Sequence, residues 1–133
     1  MKKILLIVAV VVIIIVLAGA LVYNYMVSRV DADLQKLMAA EIQEIDLAKI
    51  GNGTYSGSYQ AFPIDVEVEV VIEDHKIIGI ELIKHTNGKG QAAEGLPQKV
   101  LEAQSLKVDM VSGATHSSKT ILLAIQDALS KSQ

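Results

Sequence analysis

Apolar residues run without interruption near the N-terminus and recur at regular spacing in the rest of the chain. Every residue from 4 to 22 is apolar or glycine. At about 1.5 Å per residue, a helix of this length covers roughly 28 Å, close to the hydrocarbon thickness of a bilayer. The pattern therefore predicts a transmembrane anchor over residues 1–27, with Tyr23 and Tyr25 as interfacial aromatic side chains at its exit.

Basic residues around this segment predict its orientation. Lys2 and Lys3 precede the apolar run, and Arg29 is the first positive charge after it. The positive-inside bias then keeps the N-terminus cytoplasmic and places the C-terminal domain outside the cytoplasm. A cleaved signal peptide is the alternative, since Ala18-Gly19-Ala20 offers a small-x-small site. We favour a single-pass anchor because the run is longer than the usual apolar region of about 7 to 15 residues.

Residues 28–50 show a helical spacing of apolar side chains. This stripe consists of Leu34, Leu37, Met38, Ile42 and Ile45, with Glu41 among them. A repeat of three or four residues predicts an amphipathic helix that continues out of the membrane. We interpret it as a linker helix that packs against the domain, not as one that binds a partner.

Strict alternation comes next in the chain. Apolar positions at every second residue from Ile64 to Ile72 are separated mainly by acidic side chains, which is the period of a strand with one buried face. A second run, at residues 77–84, comes after a short turn at Asp74-His75 and predicts an antiparallel hairpin. The Gly/Tyr/Ser segment at residues 51–59 is predicted as the first strand of a three-stranded meander.

Helical patterns close the sequence. The Asn-Gly-Lys-Gly segment at residues 87–90 breaks the strand, and Leu96-Pro97 places a proline where the first turn of a helix tolerates it. Residues 107–111 fit either a short strand or an extended entry to the segment before the last helix. That helix is amphipathic, with an apolar stripe of Ile121, Leu122, Ile125, Ala128 and Leu129.

This order of elements predicts an α+β fold. Its N-terminal transmembrane helix is followed by a small domain with an antiparallel sheet and helices packed on one face. The expected organisation is an anchor at 1–27, an amphipathic linker helix at 28–50 and one domain at 51–133.

Charge and composition exclude several classes of function. Without residues 1–27 and their two lysines, 10 basic and 15 acidic side chains remain, a net charge of −5. Nucleic-acid binding needs a basic surface, so we expect no such partner. The chain has no cysteine, which excludes disulfides, iron–sulfur clusters and thiolate catalysis.

The usual catalytic patterns are missing. His75, His85 and His116 are scattered along the chain and lack the spacing of zinc ligands, so we predict no metal site. No Gly-x-Ser-x-Gly elbow supports a hydrolase triad, and the glycines near residue 53 precede a strand, whereas a phosphate-binding glycine loop precedes a helix. We therefore predict no catalytic residue.

One segment, directly before the last helix, differs from the rest. It reads Asp-Met-Val-Ser-Gly-Ala-Thr-His-Ser-Ser over residues 109–118. The bend at Gly113-Ala114 leads hydroxyl groups and unpaired backbone N–H groups to a helix N-terminus, which favours an anion. The alternative, from spacing alone, is that Ser112 or Thr115 simply caps the helix.

This segment resembles the signature of the FMN-binding domain family. Asp109-x-x-Ser112-Gly113-Ala114-Thr115 carries the likeness, together with a Gly-x-Tyr-x-Gly opening at residues 53–57, the alternating hairpin and His85 at the end of a strand. The family comprises small exported flavoprotein modules and flavin subunits of Rnf-type and sodium-pumping quinone reductase complexes. The resemblance covers residues 51 to 131.

The resemblance implies a cofactor and a site. A flavin transferase would attach FMN through a phosphoester bond to Thr115, and Asp109 with Ser112, Gly113 and Ala114 would be what the transferase recognises. His116 directly follows the acceptor and is a further candidate for contact with the phosphate, the alternative being a solvated histidine at the start of the helix. Aromatic partners for the flavin ring would come from Tyr55, Tyr59 or Phe62, although core packing explains these residues equally well.

Two functions remain open at this point. In the first, the protein is an electron-transfer flavoprotein of a bacterial cell membrane, passing electrons between a membrane dehydrogenase and an extracytoplasmic acceptor among its redox partner proteins. In the second, the tethered domain binds FMN noncovalently or serves as a flavin-free interaction module. An attached FMN that depends on Thr115 distinguishes the two.

Overall fold

The architecture was determined from a computed structural model, which describes residues 1–86 and 90–132. The predicted break at residues 87–89 lies outside the described residues. The chain divides into two compact units, Met1–Ala32 and Asp33–Gln133. The predicted division at residues 27 and 50 remains a prediction.

Helix α1 (Lys2–Ala39) contains the whole apolar run. It is long and apolar enough to cross a membrane, as judged by its length and composition. The side chains of residues 4–22 are exposed within the protein itself, as expected for a segment that has lipid and not protein as its surroundings.

The predicted amphipathic helix over residues 28–50 is shorter than expected. Helix α1 ends at Ala39, and residues 40–46 have no regular secondary structure before a short 3-10 helix at Leu47–Lys49. Tertiary contacts account for the difference, because the Nζ of Lys119 donates to the Met38 carbonyl at 2.6 Å, at the end of α1. The apolar side chains Leu34, Ile42 and Ile45 still pack against the core, as the linker interpretation expects.

The three strands form the predicted meander. They are β1 (Gly53–Ala61), β2 (Ile64–Glu73) and β3 (Lys76–Thr86), antiparallel and in the order β1-β2-β3. In β2 the alternating apolar side chains are buried, as the period of two predicts: Ile64, Val66, Val68, Val70 and Ile72. Their neighbours in sequence lie on the opposite, wetter face of the sheet.

The turn between β2 and β3 has the backbone conformation that a two-residue hairpin loop requires. Asp74 and His75 both have positive φ, 49° and 60°, which matches the right-handed twist of the strands. The Asp74 amide donates to the side chain of Asn52 at 2.9 Å, and the Nδ1 of His75 donates to the Ile50 carbonyl at 3.0 Å. The β2–β3 register shifts twice, so that Ile78 and Ile83 have no partner residue in β2 and stand as bulges.

Two helices cover one face of this sheet, so the α+β prediction is confirmed. Helix α2 (Leu96–Ala103) contacts β3 and has a proline in its first turn. Helix α3 (Thr115–Ser130) packs across β1 and β2, and each of its residues from 117 to 125 is buried. Residues 107–111, which fitted a strand or an extended entry, form no strand. Helix α3 is therefore the centre of the domain.

Candidate functional site

The segment before α3 is a tight loop held by its own helix. The Val111 amide donates to the hydroxyl of Ser118 at 3.0 Å, and the Val111 carbonyl accepts from the Ala114 amide at 3.0 Å. The Ser118 amide in turn donates to the Ala114 carbonyl at 2.8 Å. Ser118 is completely buried, so this side chain fixes the loop to the first turn of α3.

Gly113 makes the bend. Its φ is +79°, in the left-handed region that favours glycine. A Cβ built at this position would meet none of the described atoms within 4 Å. The glycine is therefore required by backbone conformation, and the space beside it stays open to a ligand.

Thr115 is the first residue of α3 and is exposed. The residue before it, Ala114, occupies the N-cap position, and no side chain of the described chain caps the helix there. The alternative that Ser112 or Thr115 serves as a helix cap is thus not what the structure shows. The first-turn N–H groups of a helix need an acceptor, and no side chain of residues 1–86 and 90–132 provides one as a cap here.

The hydroxyl of Thr115 has no hydrogen-bond partner within residues 1–86 and 90–132. The next side chain, His116, is also exposed, while its carbonyl accepts from the Thr120 hydroxyl at 2.8 Å. Ser112 is exposed as well, and Asp109 lies further back on the exposed loop. The structure therefore gathers residues 112–116 at one helix end, with Asp109 on the approach to it.

Three elements meet behind this helix end through a buried histidine. The Nδ1 of His85 in β3 lies 3.1 Å from the Oε1 of Glu94, and its Nε2 lies 3.1 Å from the Oγ of Ser117. The His85 side chain is 2% exposed. A carboxylate only accepts, so Nδ1 carries the hydrogen in this contact. These contacts from Glu94 through His85 to Ser117 thus connect the end of β3 with the first turn of α3.

Sequence reasoning missed two parts of this region. Glu94 belongs to a 3-10 helix, Gln91–Gly95, and no periodicity predicts its approach to His85. Lys119 is buried although lysine side chains are seldom buried. Its position one turn after Thr115, on the same helix face, is the sequence feature that could have pointed to Lys119 as part of this region.

Two of the three predicted aromatic partners make contacts within the domain. Tyr55 and Tyr59 are half-buried and pack against the core, and the hydroxyl of Tyr55 donates to the Gly51 carbonyl at 2.8 Å. These contacts support the packing explanation for both residues. Among residues 1–86 and 90–132, no three His, Asp or Glu side chains are grouped as metal ligands.

The helix end fits the phosphate of FMN. Its amides are uncapped, the loop has space beside Gly113, and an exposed hydroxyl stands at the first helical position. Such an N-terminus combines free N–H donors with the positive end of the helix dipole, which together favour a phosphate group. The backbone of Thr115, His116 and Ser117 would hold the anion.

Comparison with known proteins agrees with this chemistry. The model of the FMN-binding domain family matches residues 61–130. The chain is 30% identical over 113 residues to an NADH:acrylate oxidoreductase of Vibrio harveyi, a match that covers 81% of this chain and 11% of that protein. It is 27% identical over 105 residues to an uncharacterized protein of Treponema pallidum (strain Nichols), covering 77% of this chain and 29% of the relative.

The chain thus spans about a tenth of the first relative and under a third of the second. The matched region contains β2, β3 and both helices of the domain, including the whole segment from Asp109 to Ser118. The chain belongs to the FMN-binding domain family, and FMN is its cofactor.

Proposed function

We propose that this protein is a membrane-anchored, extracytoplasmic flavoprotein that carries electrons through FMN attached by a phosphoester bond to Thr115. The exposed Thr115 hydroxyl, without a hydrogen-bond partner among the described residues and standing at the uncapped N-terminus of α3, carries the proposal. A group esterified there keeps a negative charge, which the first-turn amides stabilise by about 0.3 to 1 kcal/mol.

The attachment requires a flavin transferase and FAD. In this step the Oγ of Thr115 attacks the phosphorus on the FMN side of the FAD pyrophosphate. The P–O bond between the two phosphates breaks, AMP leaves, and the hydroxyl proton is released. No electron is gained or lost. The exposure of Asp109, Ser112 and Gly113, with the left-handed bend at Gly113, supports the role of Asp109 and the Ser112-Gly113-Ala114 turn as the segment that the transferase recognises.

An electron-carrying role is supported by the flavin and by the relative. The Vibrio harveyi protein is named for an NADH-dependent oxidoreductase activity, and the chain corresponds to a small part of it. Bound FMN would supply one- and two-electron redox chemistry. The chain's own contribution is to hold and orient the cofactor, and the redox partner proteins would supply and remove the electrons.

The placement outside the cytoplasm is supported by α1 and by its flanking charges. Lys2 and Lys3 lie at its N-terminus, and basic residues prefer the cytoplasmic side. Covalent attachment suits this location, since a cofactor that dissociates from an exported domain is not recovered from the cytoplasm.

Intact mass measurement tests the attachment. The full chain is produced with and without an active flavin transferase, and we expect a gain of one FMN less one water in the first case. Thr115→Ala abolishes the gain, Thr115→Ser keeps it, and Thr54→Ala, at an exposed threonine of β1, is the matched control. A wild-type chain of unchanged mass, with flavin released on denaturation, supports the noncovalent alternative and ends the proposal.

Single-cysteine labelling tests the topology separately. The chain has no cysteine of its own, so Lys99→Cys on α2 introduces one thiol on an exposed surface. In intact cells we expect a membrane-impermeant maleimide to label this variant and not Lys3→Cys. The reverse pattern contradicts the proposed orientation, and a chain that leaves the membrane fraction contradicts the anchor.

A further inference from the structure

Lys119 is a buried positive charge next to the proposed attachment site. The residue is 8% exposed, and its Nζ donates to the Met38 carbonyl at 2.6 Å. The ion pairs of the described chain, which involve Lys49, Lys84, Lys107, Lys131 and His85, include none with Lys119. Lys119 therefore differs from the other described lysines of the domain in its burial, and it makes no ion pair to compensate for that burial.

Burying an ammonium group without a counter-ion is unfavourable. An isolated charge loses its hydration, and proteins normally pair it with an acidic group or a ligand. The Met38 carbonyl, near the C-terminal end of α1, offers partial compensation through the helix dipole. An ammonium has three donors, and within the described residues Lys119 uses one, so two remain for an anion.

Helix geometry directs Lys119 toward Thr115. The two residues are four apart in α3, so they share one face of the helix. Long side chains on a helix lean toward its N-terminus and cover the preceding turn. A side chain that follows this rule at Lys119 covers the helix turn that begins at Thr115, whereas Ser117 contacts His85 from another side of α3.

Solvent and ligands reach this lysine through an open groove of about 530 Å³. Its walls are formed by residues 38–39 at the end of α1, by residues 40–42 after the helix, by Met110 of the loop and by Lys119 itself. Glu41 also lines the groove, yet it makes no ion pair with Lys119 among the described contacts. The groove therefore extends from Met110, in the loop before α3, to the ammonium of Lys119.

We propose that Lys119 is the counter-charge of the FMN phosphodiester on Thr115, binding one of its two unesterified oxygens. This inference rests on the proposed function, because the phosphodiester exists only after attachment. It assigns to Lys119 a binding role toward the cofactor in addition to its contact with Met38. Attachment then provides the buried ammonium with its missing partner, and the stability of the domain and the presence of FMN become coupled.

A four-way comparison of thermal unfolding measures this coupling. The wild-type chain and Lys119→Met are each prepared in detergent with and without attached FMN, modified and unmodified chains being separated and checked by mass. We expect Tm to rise on attachment in the wild type, and the rise to fall to less than half in Lys119→Met. Lys99→Met, the same change at an exposed position of α2, keeps the full rise, and Lys119→Arg keeps most of it.

The outcomes separate the two proposals. An unmodified wild-type chain overturns both. A modified wild-type chain whose rise in Tm equals that of Lys119→Met overturns the role of Lys119 alone. If Lys119→Met does not fold, the test is made with lysine side-chain ¹⁵N spectra of the wild type and of Lys119→Arg, each recorded with and without attached FMN. A single Nζ resonance that moves on attachment and is missing in Lys119→Arg supports the proposal, and an unmoved set overturns it.

Discussion

Gly57 of β1 and Ala124 of α3 approach each other so closely that a side chain at residue 57 has no room. A Cβ built on Gly57 would lie 2.2 Å from the carbonyl oxygen of Ala124 and 2.4 Å from the backbone nitrogen of Ala128. Both are backbone atoms of the central helix and cannot move without displacing α3. The glycine is therefore a requirement of packing between strand and helix.

Gly57→Ala is expected to destabilise the domain strongly. Forcing even one methyl group into a closed contact displaces backbone, and we expect a loss of about 3 kcal/mol or more in the free energy of unfolding, measured with urea. Gly95→Ala is the matched control, because a Cβ there meets no described atom within 4 Å. Equal stability of the two variants would contradict the close approach of Gly57 to the backbone of α3.

Gly113→Ala tests backbone conformation without a steric clash. A left-handed φ costs a residue with a Cβ about 1 to 2 kcal/mol, whereas asparagine adopts it more readily. We expect Gly113→Ala to lower both stability and the extent of FMN attachment, and Gly113→Asn to recover part of each. Thermal unfolding and intact mass check the two effects. The same loss in both variants would point instead to the volume of the side chain.

The contact between His85 and Ser117 predicts that substitutions at these two residues have non-additive effects on the free energy of unfolding. Ser117→Ala and His85→Ala each leave a buried polar group without one partner, at a cost of about 1 to 3 kcal/mol. Because the two residues share one hydrogen bond, the double variant should lose less than the sum of the single losses. Urea unfolding measures the cycle. Ser130→Ala, at the exposed end of α3, serves as a control, and strict additivity would show that the contact carries no energy.

The contacts of Asp127, near the C-terminal end of α3, predict that the stability of the domain depends on pH. Its partial burial raises the pKa, but hydrogen bonds from Lys131 and from the Ser58 amide outweigh this and hold the pKa below the ordinary value of 3.8. A lowered pKa in the folded state gives stability that is present above the ordinary value and is lost as the pH falls through the folded one.

We therefore expect Asp127→Asn to be less stable than the wild type at neutral pH, by about 1 kcal/mol or less for this partly exposed pair. The difference should shrink when urea unfolding is repeated below pH ~4. Lys131→Met reports the ammonium contact separately. A difference that stays constant with pH would contradict the contribution of the ionised carboxylate.

Much of the fold can be predicted from local patterns in the sequence. Alternation from Ile64 to Ile72 predicts β2 because each second side chain is buried against α3. The Asp74-His75 turn and Pro97 mark a hairpin and a helix start through their backbone preferences. In the same way, the motif around Gly113 predicts the bend before α3.

Other features depend on contacts between distant residues. The end of α1 at Ala39 reflects the contact that Lys119 makes with Met38, 81 positions earlier in the sequence. Glu94 meets His85 only when the 3-10 helix is packed beside β3. The burial of Lys119 contradicts the usual preference of lysine for the surface. No local pattern contains this information, because each contact is created by tertiary packing.

The burial of α3 also determines how the domain opens. Amide hydrogens in such a central helix exchange with solvent mainly through global unfolding, whereas peripheral segments open locally. The slowest-exchanging amides should therefore lie between residues 118 and 125, a few positions from Thr115. A fragment cut in the loop before Thr115 would then stay bound through α3 until the domain unfolds globally, so a group attached at residue 115 would stay with the protein.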